Sequence, residues 1–184
     1  MGGVSLLSWF LPAVETDAVD WGEVFREELP RLFNYFRYRG FDRASAEDLT
    51  STTFEKAWRA RDRYRRERAA VATWLLAIAR HAATDQLRRL RREVPLDGEP
   101  VPAAETAETP ETAALRADER RRLRALLAAL PPRERELIAL KYGAGATNRT
   151  IATLTGLGES NVGTILHRTI ASLRAHWDGA GGTP

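Results

Sequence analysis

Residues 150 to 174, TIATLTGLGESNVGTILHRTIASLR, read as a helix, a tight turn and a second helix. Thr147 suits an N-cap, Ile151 and Leu154 give the first helix an apolar side, and TGLGES supplies the turn. In the second helix, capped at Ser160, the spacing turns Val162, Ile165, Leu166, Ile170 and Leu173 inward. Asn161, Thr164, His167, Arg168 and Ala171 then face outward. That outward row can reach base edges and phosphates, as major-groove readout requires. It carries few cations: His167, Arg168 and Arg174. A reading helix so lightly charged needs help from elsewhere in the chain.

Working outward, the next signal is LLAALPPRERELIALKYG. Pro131 stops one helix and Pro132 opens another that ends at Gly143. The stopped helix places Leu115, Leu123, Leu126, Leu127 and Leu130 inward. Further back, residues 93–114 hold six acids and no base. With four prolines and almost no large apolar residue, this stretch cannot offset its ordering entropy and should stay extended. It divides the chain at an acidic linker, residues 93–112.

The N-terminal part is helical too. FREELPRLFNYFRYRG places Phe25, Leu29, Leu32, Phe33 and Phe36 at helical spacing, with Pro30 expected to break or bend the run. DRASAEDLTSTTFEKAWRA follows, with Ser45 as expected N-cap and two possible stripes, Leu49, Thr53, Ala57 or Phe54, Trp58. ATWLLAIARHAATDQLRRLRR then begins a long helix near Thr73, with Trp74, Leu75, Ile78, Ala82 and Leu87 inward. The fold class is therefore all-α: two small helical domains, 22–92 and 113–177, joined by the acidic linker. An apolar extension (1–21) precedes them and a tail (178–184) follows.

Charge locates a second surface. The net charge of +3 conceals the acidic linker, because residues 59–92 alone hold eleven arginines against three acids. Such a patch suits a polyanion. Tyr64 with Arg65, Arg66 and Arg68 could supply the stacking ring and positive groove that single-stranded DNA needs. His81, Asp85, Gln86, Arg88, Arg89 and Arg92 could line one side of the next helix.

Other classes are excluded or unsupported. There is no cysteine, and the three histidines are scattered, so no metal or cofactor site is expected. Phosphate-loop, nucleophile-elbow and zincin motifs are absent, so the chain does not read as an enzyme. No segment approaches the about 20 apolar residues of a membrane span. A secretion leader is not evident, and a cytoplasmic location is expected.

Taken in order, AEDLTSTTFEKAW, ATWLLAIARHAATDQLRR and LLAALPPRERELIALKYGAGATNRTIATLTGLGESNVGTILHRTIASLR resemble the sigma-70 family of bacterial initiation factors. The two-domain extracytoplasmic-function (ECF) group fits best. The resemblance implies that residues 22–92 correspond to region 2 and 113–177 to region 4. It implies core RNA polymerase as partner, through its clamp and flap regions, with the clamp met around Asp48, Leu49, Thr52, Phe54 and Trp58. Promoter DNA, single-stranded and duplex, is the other implied partner. The −10 element would be opened and read by the arginine-rich loop and following helix. The −35 element would be read by Ser160, Asn161, Thr164, His167 and Arg168, with Arg149 on a phosphate. An anti-sigma protein is implied as inhibitor. The chain departs from the family at GTVKSRLHR, where Gly163 and Ile165 replace two common bases. A stand-alone helix-turn-helix regulator is the alternative; it would bind duplex DNA as a dimer, and the sequence offers no dimer seam.

Overall fold

The computed structural model describes residues 19–93 and 110–179. The N-terminal extension, most of the acidic linker and the tail lie outside the described residues. Among the described residues there are seven α-helices and no strand. They are α1 (Trp21–Arg39), α2 (Arg43–Ala60), α3 (Val71–Glu93), α4 (Pro110–Ala129), α5 (Pro132–Ile138), α6 (Asn148–Thr155) and α7 (Glu159–Gly179). A 3-10 turn, Arg61–Arg63, follows α2, and a π-helical turn, Ala139–Gly143, follows α5. Among the described residues, no helix is long and apolar enough to cross a membrane.

The start of α1 is fixed by Asp20, whose carboxylate accepts from the backbone of Gly22 and Glu23. Its end is fixed by Gly40 in the left-handed conformation (φ 102°), which a side chain would strain. Pro30 does not break it. The ring is exposed, and the helix continues through it because Leu32, Tyr35 and Phe36 just beyond are fully buried. That burial outweighs one missing backbone donor. Of the residues at helical spacing, Leu32 and Phe36 are buried, whereas Phe25 and Leu29 are exposed.

Asp42, not Ser45, caps α2, accepting from the Ser45 backbone at 2.7 Å. Of its two possible stripes, Leu49, Thr53 and Ala57 is the buried one. Thr53 reaches the core by donating its hydroxyl to the Leu49 carbonyl. Helix α4 begins at Pro110, earlier than the linker boundary implied, with proline in its first turn. Leu127 and Leu130 are buried as expected, but Leu123 is exposed; the side chain of Leu115 lies outside the described residues.

The two helical groups share one apolar core. Helix α1 packs against α5 and the π turn as well as against α2 and α3. Gly143 is the tightest point: a Cβ there would lie 2.9 Å from the Asn34 carbonyl oxygen and 2.9 Å from the Tyr35 Cα. Arg39, almost fully buried, donates to the Pro132 carbonyl at 3.2 Å. Arg80 of α3 forms a 2.8 Å ion pair with Glu136 of α5 and donates to the Leu154 carbonyl at the end of α6. Periodicity within single helices foretold none of these contacts.

Candidate nucleic-acid interface

Two exposed surfaces collect the candidate residues. The first lies on α3 and the loop before it. His81, Asp85, Arg88, Arg89 and Arg92 are all exposed, and Gln86 is half-buried. Helical spacing puts 81, 85, 88 and 92 in one row. Asp85 stays 3.9 Å from Arg88, and Arg92 turns back to the Arg88 carbonyl at 3.2 Å. Leu75, Leu76, Ala79, Ala82 and Ala83 hold the opposite face in the core.

The loop is anchored by aromatics. Tyr64 donates its hydroxyl to the Ala69 carbonyl at 2.9 Å. Its ring lies 5.2 Å from Trp74 and 6.3 Å from Trp21. Burial pushes its pKa up. Tyr64, half-buried, is therefore engaged within the protein and holds the loop that presents Arg65, Arg66 and Arg68, all exposed. Arg65 donates back to the Asp62 and Tyr64 carbonyls. Trp74, half-buried, belongs to the same cluster. Trp58 is the more accessible ring, 53% exposed, with the Arg61 guanidinium 4.2 Å above it. Trp21, the cluster's centre, had no signal in the sequence beyond its position at the start of α1.

On α2, Asp48 is exposed, Thr52 half-buried, and Phe54 packs at 4.6 Å on Phe25. Leu49 is turned into the core. Any contact through this segment must come from its neighbours.

The second surface is the outer face of α7. Ser160, Asn161, Thr164, His167 and Arg168 are all exposed, while Val162, Ile165 and Leu166 are buried. Helix α7 starts at Glu159, so Ser160 lies inside the first turn and is not the cap; it accepts from the Thr164 hydroxyl through its carbonyl at 3.1 Å. Thr147 does cap α6, accepting from the Thr150 backbone at 3.1 Å. Gly156 (φ 72°) makes the turn. Arg149, highly exposed, sits 3.6 Å from Glu159. Ser160, Gly163, Thr164, His167 and Arg168 line a shallow concavity of about 510 Å³. A smaller one shares Gly163 and His167 and adds Lys141, Tyr142, Asn148 and Arg174; of its two basic groups, Arg174 was already counted on the reading helix, whereas Lys141 was not joined to the site by the sequence. Burial of Ile165 also shows that only Gly163, of the two positions lacking a family base, faces the surface.

These two faces, on two helical groups with a helix-turn-helix in the second, coincide with two family matches. Residues 24–93 match sigma-70 region 2 and residues 120–173 match sigma-70 region 4, together more than half of the chain. The chain belongs to the sigma-70 family. Among its relatives is the ECF RNA polymerase sigma factor BldN of Streptomyces coelicolor, 29% identical over 163 residues. That alignment covers 88% of this chain and 61% of BldN, so this sigma-70 chain spans about three fifths of that relative's length. The ECF sigma factor RpoE of Cereibacter sphaeroides is 28% identical over 162 residues, covering 87% of each. The fold is that of the sigma factor RpoE solved with the anti-sigma factor NepR from Bartonella quintana. The TM-score is 0.65 at 21% identity, over 85% of this chain and 95% of that one.

Proposed function

We propose that this chain is an ECF-type sigma factor, a non-enzymatic subunit that binds core RNA polymerase and directs promoter-specific initiation. What supports the reading is one arrangement. A cationic face on the region 2 helix and a polar reading face on the region 4 helix are both exposed, on domains matching the same family.

Region 4 reads the −35 duplex through Asn161, Thr164 and His167, with Ser160 at the rim and with phosphates held by Arg168 and by Arg149 released from Glu159. Region 2 takes the −10 element. His81, Asp85, Gln86, Arg88, Arg89 and Arg92 follow the strand, and the loop bearing Arg65, Arg66 and Arg68 captures an extruded base. Asp48, Thr52, Phe54 and Trp58 face the polymerase clamp. Because polymerase tethers both domains, region 4 needs only modest affinity of its own. The sigma factor therefore works beside polymerase in the cytoplasm. An anti-sigma protein is the expected inhibitor, by analogy with the Bartonella complex.

Run-off transcription with purified core polymerase on pooled genomic fragments tests the proposal. Discrete transcripts that depend on this protein are expected, and their start sites should share two upstream elements. Absence of transcripts together with no co-migration with core polymerase would overturn it in favour of a stand-alone regulator.

A further inference from the structure

We propose that Gly163 is a specificity position: the notch it leaves on the reading helix takes the 5-methyl group of a thymine in the −35 duplex. This rests on the function proposed above and names a base feature that its −35 face reads.

Gly163 carries a cost with no cause inside the described chain. It is the fifth residue of α7, and its φ is not in the left-handed region. Glycine there shifts the helix equilibrium unfavourably by about fivefold against alanine. At Gly143 the fold explains the glycine, because a Cβ would stand 2.9 Å from α1 backbone atoms. At Gly163, outside α7 itself, the one described atom within 4 Å of a Cβ would be the Asn148 side-chain nitrogen, at 3.6 Å. That is an ordinary van der Waals contact, so the packing would accept a side chain. The need for glycine then lies with whatever approaches the helix at this point.

The surroundings say what that is. Gly163 lines the concavity of about 510 Å³ with Ser160, Thr164, His167 and Arg168, room enough for the edge of a base. Ser160 and His167 are its neighbours one turn before and one turn after. Thr164, exposed, donates its hydroxyl back to the Ser160 carbonyl at 3.1 Å. Its proton is thereby committed, and what it offers an incoming group is its methyl, beside the bare Gly163 Cα. The centre of the notch is therefore apolar, with His167 and Arg168 as polar neighbours. The major groove presents one apolar group, the thymine 5-methyl, and a threonine methyl is among its usual contacts. A phosphate would call for a cation at 163, the kind of side chain this position lacks.

The test removes one methyl group. Holoenzyme is assembled from the full chain and core polymerase. Each thymine of the −35 element located by run-off transcription, on either strand, is replaced in turn by deoxyuridine, which keeps the hydrogen-bonding edges and lacks only the 5-methyl. Wild-type holoenzyme is expected to lose about fourfold in promoter affinity at one thymine, the worth of one buried methyl group. Gly163→Gln fills the notch with a neutral chain and should bring that ratio to about one. Thr164→Ser keeps the hydroxyl and removes the facing methyl; it should also lower the ratio, and serves alone should Gly163→Gln fail to fold. Gly163→Ala should raise the melting midpoint of the free protein, as helix propensity directs. A lower midpoint would show that the fold itself needs glycine, and would overturn the proposal. So would a −35 element without thymine, no deoxyuridine effect at any −35 thymine, or an effect of wild-type size in the folded variants. Transcripts from the unmodified promoter without methyl dependence would sink this inference alone. Failure of the wild type to direct any transcript would sink the proposed function, and this inference with it.

Discussion

Tyr35 shows how a single buried group sets a pH limit. Its ring is wholly buried between the domains, and desolvation raises its pKa above the usual about 10, against the lowering pull of Arg39. The folded chain therefore holds a proton that the unfolded chain releases near pH 10. Stability from this group is complete below that pH and falls as pH rises above it, by up to about 1.4 kcal/mol per unit. Thermal midpoints between pH 9 and 11 should drop less steeply in Tyr35→Phe; parallel slopes would refute the assignment. At the reading helix, Asn161 and Arg168 differ in kind. Asn161→Ala should relax preference at one −35 position by about 1–3 kcal/mol. Arg168→Ala should weaken binding to all sequences alike and reduce the salt slope by about 1. Affinity measured on a panel of −35 variants at two salt concentrations separates the two, and identical profiles would remove the distinction.

Among the elements, α1 carries the clearest unresolved cost. Pro30 deletes one backbone bond in mid-helix with its ring in solvent. Pro30→Ala restores the donor and a better helix former, but makes the unfolded chain more flexible. A net gain of about 2 kcal/mol is expected, raising the melting midpoint by roughly 2–4 °C for each kcal/mol. A lower midpoint by calorimetry would mean that the proline itself is needed at this position. Pro30 also marks where sequence reading weakened. Local rules found helices α1 to α7 and the Thr147 cap, because spacing and capping chemistry act within about four residues. Two caps shifted: Asp42 replaced Ser45, and Glu159 opened α7 before Ser160. Neighbouring polar residues compete for that role, and their order along the chain alone does not rank them. The π turn was illegible, since the glycine ending an α-helix and the glycine meeting another helix look alike in sequence. The outward rows of α3 and α7 were legible because one apolar face fixes the opposite one. Engagement of Tyr64 by Trp21 and Trp74, and burial of Leu49, depend on neighbours distant in the chain.

At the scale of the whole molecule, the proposed function divides the labour between separate faces. Arg88 and Arg89 lie on the exposed side of α3, about two turns beyond Arg80 at the domain contact, whereas Asp48, Phe54 and Trp58 are carried by α2. Neither side chain contributes to the apolar core. Arg88→Ala with Arg89→Ala should therefore leave folding and co-migration with core polymerase intact. Two charge-assisted contacts to the opened strand would be lost, each worth about 1.5–3 kcal/mol as a hydrogen bond to a charged group. Strand opening is a near-balanced step in which unstacking costs a few kcal/mol, so that loss is large enough to abolish it. Permanganate reactivity of promoter thymines reads the open strand directly, and gel mobility reads polymerase binding. Loss of the first with retention of the second supports separate faces. Wild-type reactivity would show that these arginines do not hold the strand. Loss of both would show that the α3 face also serves polymerase, and the two surfaces would then have to be treated as one.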